Sequence, residues 1–147
     1  MAEKVHTLVI GGGQAGVATS AHLQKHGLAQ LVLERDRIAE RWRTWRWDSL
    51  VANGPAWHDR FPEAEFEGID PEAFATKDQV ADYFEAFAAK RNLPIRTGVS
   101  VTRLERNGTG FRATTSAGEI EAENVVVATG PFQKPLIPTL VSDPAIT

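Results

Sequence analysis

Cysteine is absent from this 147-residue sequence, which excludes disulfide staples, thiolate metal sites and dithiol redox chemistry within these residues. Long apolar runs are absent too. No stretch could span a bilayer, and no basic-then-apolar signal peptide precedes the first predicted strand, so a cytoplasmic protein with no membrane partner is expected. Positive charge is in short supply, with 16 Lys and Arg against 19 Asp and Glu and a net charge of −3. That balance argues against nucleic acid or an anionic membrane as the main partner. Four histidines, His6, His22, His26 and His58, show no metal-ligand spacing beyond an i, i+4 pair at 22 and 26, which solvated helix positions explain better. No metal site is expected. The remaining composition, 42% hydrophobic and 24% charged, is that of a globular protein, and the length suits one domain with a sizeable core.

The strongest positive signal is Val-Ile-Gly-Gly-Gly-Gln-Ala-Gly at residues 9–16. Leu8, Val9 and Ile10 form an apolar run suited to a strand buried on both faces, and Val17, Ala18 and Ala21 recur at helical spacing until Gly27 supplies a stop. In a dinucleotide-binding turn, Gly11 permits the tight strand-to-helix turn, Gly13 lets backbone amides approach a pyrophosphate, and Gly16 lets the helix pack closely on the strand. The phosphate then sits on the helix N-terminus, where unpaired N–H groups and the helix dipole favour negative charge. Leu31, Val32 and Leu33 make the next strand. It ends at Glu34, eighteen residues beyond Gly16, where this fold uses a carboxylate to accept hydrogen bonds from a ribose. A merely structural glycine turn would explain the loop, but not the complete strand, helix, strand and acid.

Residues 35–62 hold all four tryptophans, five arginines before Arg60, and two prolines. Arg41-Trp42-Arg43-Thr44-Trp45-Arg46-Trp47 has the basic and aromatic interleaving of a nucleic-acid surface, but flanking acids and the negative total charge disfavour that use. An aromatic lid over a ligand, or core filling, fits better. A helix follows, in which Thr76 and Gln79 make a capping box and Val80, Tyr83, Phe84, Phe87 and Ala88 form one core-facing stripe. It is expected to end near Asn92, before Leu93-Pro94 opens an extended segment. From Val99 the pattern turns antiparallel: Val99 and Val101 alternate, Asn107-Gly108-Thr109-Gly110 turns, Phe111 to Thr115 alternates again, and Ser116-Ala117-Gly118 turns into Glu119 to Ala122. Three short meander strands are predicted. Val125-Val126-Val127 then reads as a separate return to the parallel sheet, ending in Ala128-Thr129-Gly130.

Taken together, Ile10 to Glu34, the Trp-rich segment, the meander and Ala128-Thr129-Gly130-Pro131-Phe132-Gln133-Lys134-Pro135-Leu136-Ile137-Pro138 resemble the N-terminal part of flavin-containing monooxygenases and their Baeyer–Villiger and YUCCA-type relatives. The A-T-G-x-F-x-x-P-x-I-P run is the more specific match. The resemblance implies an α/β, Rossmann-like FAD/NAD(P)-binding domain, a parallel sheet with an antiparallel β-meander, and FAD as cofactor. It implies that Gly11, Gly13, Gln14, Ala15 and Gly16 meet the pyrophosphate, Glu34 the adenosine ribose, and Arg35 and Val101 the neighbourhood of the adenine. Ala128, Thr129 and Gly130 lie where the family's A-T-G turn approaches the dinucleotide. Arg41 and Trp42 resemble the segment beside the flavin ring, although many relatives have a flexible small-residue turn before that Trp. Asn53 falls where many of these enzymes carry an asparagine whose amide donates beside the flavin or holds the nicotinamide. The plain alternative is that Asn53-Gly54-Pro55 is a turn, since Asn and Gly tolerate positive φ.

What the family has and this sequence lacks also shapes the expectation. No second G-x-G-x-x-G follows Gly98, so the NADPH-binding domain and the strand closing the FAD site are expected to be absent from residues 1–147, a C-terminally truncated FAD-binding domain. The full-length protein is then an oxidoreductase that oxygenates a small-molecule substrate with FAD, NADPH and O₂, this part alone being inactive. A non-catalytic nucleotide-binding module is the contrasting class. A pyridine-nucleotide disulfide reductase lacks support without Cys-x-x-x-x-Cys or Cys-x-x-Cys, and a plain NAD dehydrogenase does not usually carry the meander. The sheet edge beside Val125-Val126-Val127 is expected to be bare and to drive self-association.

Overall fold

The apolar run before the glycines forms β1 (Glu3–Ile10), and the helical spacing after them forms α1 (Gln14–Lys25), in a computed structural model that describes residues 2–131 and Leu136. β2 (Gln30–Leu33) lies parallel to β1, Leu8 opposite Leu31 and Ile10 opposite Leu33. The return from α1 is made by Gly27 at φ 67°, whose N–H reaches the Gln24 carbonyl while Leu28 N–H reaches that of Leu23. This paired closure satisfies two terminal carbonyls and needs a left-handed residue, which glycine adopts without a Cβ penalty.

A short helix, α2 (Glu40–Thr44), interrupts the Trp-rich segment, and α3 (Lys77–Lys90) follows with the expected cap. Thr76 Oγ1 accepts from Gln79 N–H at 3.3 Å, and Gln79 Oε1 accepts from Thr76 N–H at 2.9 Å. α3 closes as α1 does, with Asn92 at φ 50° in glycine's place. β3 (Ile95–Arg96) then pairs parallel to β2.

β4 (Val101–Asn107) and β5 (Gly110–Thr115) form a hairpin, and β6 (Gly118–Val127) completes one sheet in the order β3-β2-β1-β6-β5-β4. Here the structure corrects the sequence reading. The third meander strand and the parallel return are one ten-residue strand, not two. The first half of β6 has a partner on each side, Ile120 standing opposite Ala113 of β5 and Glu3 of β1. Pairing to β5 ends at Ala122 while pairing to β1 runs on to Val127, so among the described residues 123–127 have a strand on one side only.

Two cores result. Val17 of α1, Phe61, Phe66 and the α3 stripe Val80, Tyr83, Phe84 and Phe87 make one. Leu8, Leu31 and Leu33 of the parallel strands pack with Val99, Ala113, Ile120 and Ala122 of the meander in the other. Strand alternation allows both, because successive side chains leave opposite faces of the sheet. The ends of β1, β2 and β6 therefore meet at one place, immediately before α1.

Candidate functional site

The glycine turn is defined by what a Cβ would meet at each position. Gly11 has φ 113°, and a Cβ there would stand 2.5 Å from the Ala128 carbonyl oxygen and 3.3 Å from Thr129 Cα. The backbone after β6 thus crosses directly over the turn, tied by Ala128 N–H to the Ile10 carbonyl at 2.8 Å. At Gly16 a Cβ would overlap the Gly11 carbonyl oxygen and lie 2.9 Å from its carbon, so α1 packs backbone to backbone on the turn. Gly13 differs: its φ is −84°, and a Cβ would find no atom of the other described residues within 4 Å. Among the described residues no contact forbids a side chain at Gly13. Gln14 and Ala15 open α1, which has no capping side chain and no acidic residue in its first turn.

Glu34 follows β2 and faces the turn. Its Oε2 accepts from Gly12 N–H at 2.6 Å and its Oε1 from Asp36 N–H at 2.9 Å. Gly12 drew no attention in the sequence, yet a Cβ there would stand 2.9 Å from Glu34 Cβ. The run of three glycines was the available signal: one bends, one admits the acid, and one opens to solvent. Val99 N–H donates to the Glu34 carbonyl at 3.0 Å, which brings the start of β4, and Val101 two residues on, toward the end of β2. Arg35 is half-exposed and pairs with Asp36 at 3.1 Å.

Ala39 is a second feature that sequence reasoning missed. It is buried, has φ 59°, and its N–H donates to the Gly12 carbonyl at 3.1 Å. α2 starts at the next residue. Trp42 is partly buried and packs edge-on against Phe84 at the border of the core, ring centroids 6.3 Å apart; the Arg41 guanidinium lies 4.4 Å from the centroid of the Trp45 ring. Trp45, Trp47 and Trp57 are 63%, 65% and 50% exposed, so three of the four tryptophans do not fill the core of the described structure.

Asn53 is exposed, two residues past the bridge that pairs Val51 with Thr76. Neither Asn53 nor Gly54 has positive φ, so backbone conformation is not what requires this pair. Gly54 N–H donates to Asp59 Oδ2 at 2.9 Å, and a Cβ there would lie 2.7 Å from Asp59 Oδ1 and 2.8 Å from His58 Nδ1, so a side chain at this position would have to displace both side chains. Gly130, at φ 74°, continues the crossing segment. Of the A-T-G-x-F-x-x-P-x-I-P run, Phe132, Gln133, Lys134, Pro135, Ile137 and Pro138 lie outside the described residues. The structure thus gathers Gly11 to Gly16, Glu34 and Ala128-Thr129 at one place. Arg35 and Arg41 engage their own neighbours instead.

Comparison with known proteins bears on the family and the fold. Residues 8–143 match the family model described as pyridine nucleotide-disulphide oxidoreductase, and the chain belongs to that family. An uncharacterized CzcO-like oxidoreductase of Geobacillus kaustophilus is 44% identical over 91% of this chain and 38% of its own length. The rice indole-3-pyruvate monooxygenase YUCCA1 is 33% identical over 89% of this chain and 33% of its own length. Among solved structures, the flavin-containing monooxygenase from Stenotrophomonas maltophilia superposes with a TM-score of 0.82 at 26% identity, covering 92% of this chain and 41% of that one. The chain has the Rossmann-like fold of a flavoprotein family and spans about two fifths of the length of the Geobacillus and Stenotrophomonas relatives. The family's name covers disulphide oxidoreductases, but this sequence has no cysteine with which to form a dithiol.

No helix among the described residues is long and apolar enough to cross a membrane.

Proposed function

We propose that this chain is the FAD-binding part of a flavin-dependent monooxygenase that uses NADPH and O₂ to oxygenate a small organic substrate. The observation that carries the reading is the division of labour in the turn: among the described residues, Gly11 and Gly16 are demanded by protein atoms, whereas Gly13 faces open space in front of an uncapped helix. A glycine that the fold does not require, at the mouth of unpaired N–H groups, suits a ligand that must come within contact of the backbone. The residues present fit a dinucleotide.

Amides of Gly13, Gln14, Ala15 and Gly16 would hold the pyrophosphate, and the helix dipole would favour its charge. Glu34 keeps acceptor capacity after its two backbone hydrogen bonds, because an ionised carboxylate offers about four lone-pair sites. It would accept from two ribose hydroxyls. Arg35 and Val101 would flank the adenine, Ala128, Thr129 and Gly130 would cover the dinucleotide, and Arg41, Trp42 and Asn53 would lie toward the flavin ring. Bound flavin supplies the redox chemistry. This chain's residues bind and orient it, with NADPH held by residues outside 1–147. The relatives' greater length supports that division, and the likeness to the rice YUCCA1 monooxygenase and the Stenotrophomonas maltophilia flavin-containing monooxygenase supports monooxygenation.

The test is purification of the natural protein, an absorbance scan for flavin, and titration with FAD. Flavin bands or saturable uptake are expected. A colourless protein that also fails to bind added FAD would overturn the assignment.

A further inference from the structure

We infer that Arg43, remote in sequence from the glycine turn, is a positioning residue for the peptide that meets the phosphate. The inference rests on the cofactor reading above and adds a control point to that site. Its first element is the planar, trans peptide between Gly12 and Gly13. In such a unit the carbonyl and the following N–H point in opposite directions. Ala39 N–H holds the Gly12 carbonyl at 3.1 Å, so the same hydrogen bond aims Gly13 N–H the other way, away from Ala39. Gly12 N–H is already committed to Glu34. The orientation of this peptide therefore depends on where Ala39 is held.

Ala39 does not hold itself. Its φ of 59° is a left-handed conformation that costs an alanine about 1 kcal/mol or more and persists only where the surroundings impose it. α2, which begins at Glu40, has five residues and no capping side chain, too short to be stable alone. Its anchor is α3. Arg43 Nη1 donates to Asp82 Oδ1 at 2.8 Å and Nη2 to Glu85 Oε2 at 2.7 Å. Asp82 and Glu85 are three apart on α3 and share a face, so one planar guanidinium fork meets both carboxylates. Lys77 Nζ donates to the Arg43 carbonyl at 3.1 Å from the start of the same helix. The Arg43 side chain is 17% exposed, while Asp82 and Glu85 are 70% and 57% exposed. Solvent screening keeps each pair modest. Their role is geometric: they pin α2 to α3 on one side while Ala39 grips the turn on the other.

The experiment uses two variants of the natural protein. Arg43→Met keeps the apolar stem and removes the fork, and Asp82→Asn with Glu85→Gln removes the partners from exposed positions where folding is not at risk. Hydrogen exchange at the Ala39 amide reads the grip, and fluorescence titration with FAD reads the site. Both variants are expected to speed exchange at Ala39 about tenfold while amides in β1 keep their protection, and to weaken FAD binding roughly three- to tenfold. Arg43→Lys, which keeps the charge without the fork, is expected to recover part of both effects. Unchanged exchange at Ala39 in both variants would overturn the clamp, and faster exchange with unaltered FAD affinity would overturn its link to the turn. If the wild-type protein takes up no FAD while Ala39 still responds to both variants, the cofactor reading falls and the clamp itself stands.

Discussion

Alanine at Gly16 and alanine at Gly13 should have opposite signatures, although both glycines belong to the same motif. A Cβ at Gly16 would lie 2.9 Å from the Gly11 carbonyl carbon and overlap its oxygen. The obstacle is backbone, in a turn already fixed by Gly11 N–H to the Leu33 carbonyl at 2.8 Å, so it cannot rotate aside as a side chain would. Overpacking of yielding sites costs about 1–3 kcal/mol, and this site belongs at or above the upper end. Against a total stability of about 5–15 kcal/mol for a typical domain, Gly16→Ala is expected to unfold much of the population or shift its urea midpoint sharply. Gly13→Ala meets nothing within 4 Å among the other described residues and has an ordinary φ of −84°. The weaker helix-start preference of alanine and the lower entropy of its unfolded chain, each up to about 1 kcal/mol, roughly cancel. Its midpoint should match wild type while FAD binding weakens at least about tenfold, because the methyl group occupies pyrophosphate space. Urea unfolding followed by circular dichroism, with FAD titration of each variant, provides the measurement. A stable Gly16→Ala protein would refute the packing argument. A stable Gly13→Ala protein with normal FAD affinity would refute the placement of the phosphate.

Further outcomes follow from other contacts. Glu34→Ala should weaken FAD binding by about 1.5–3 kcal/mol, through loss of a charge-assisted acceptor and of the partner to Gly12 N–H; unchanged affinity by calorimetry would make Glu34 an ordinary carboxylate. Asn53→Ala in the natural protein should retain FAD and lower product formed per NADPH oxidised, and an equal yield would return Asn53 to a structural role. The Arg96 guanidinium, hydrogen-bonded to Glu3 at 2.9 and 3.0 Å, holds that carboxyl below its ordinary value of 4.5. A lowered folded-state value means stabilisation that is full above about pH 4.5 and is lost as pH falls through the folded value. Glu3→Gln should remove that part of the acid sensitivity, under about 1 kcal/mol for so exposed a pair, and an identical acid profile in both proteins would argue against it. Finally, we propose that the stretch 123–127 of β6, paired on one side only among the described residues and with Val127 64% exposed, makes the chain self-associate. Light scattering with size exclusion should show a concentration-dependent mass that Val127→Lys reduces, and a monomer at every concentration would count against it.

The amino-acid sequence by itself determined the elements that local physics controls. Thr76 and Gln79 announce the start of α3 because their reciprocal hydrogen bonds span only three residues, and Gly27 announces the end of α1 because a left-handed residue is needed there. The β1–α1–β2–Glu34 unit was equally legible, since its register depends on an apolar run, a glycine turn and a fixed distance to the acid. Residues that do their work across the chain were not legible. Nothing local in Glu119 to Val127 says that one strand pairs with β5 and β1 together, because the partners that hold it straight lie far away in sequence. Nor does an alanine advertise a left-handed backbone; Ala39 takes that shape because α3 holds α2 through Arg43 and the Gly12 carbonyl takes its N–H. The three glycines could be read as a motif from sequence, but which atom each one makes room for was decided only when Ala128, Glu34 and the start of α1 converged on the turn.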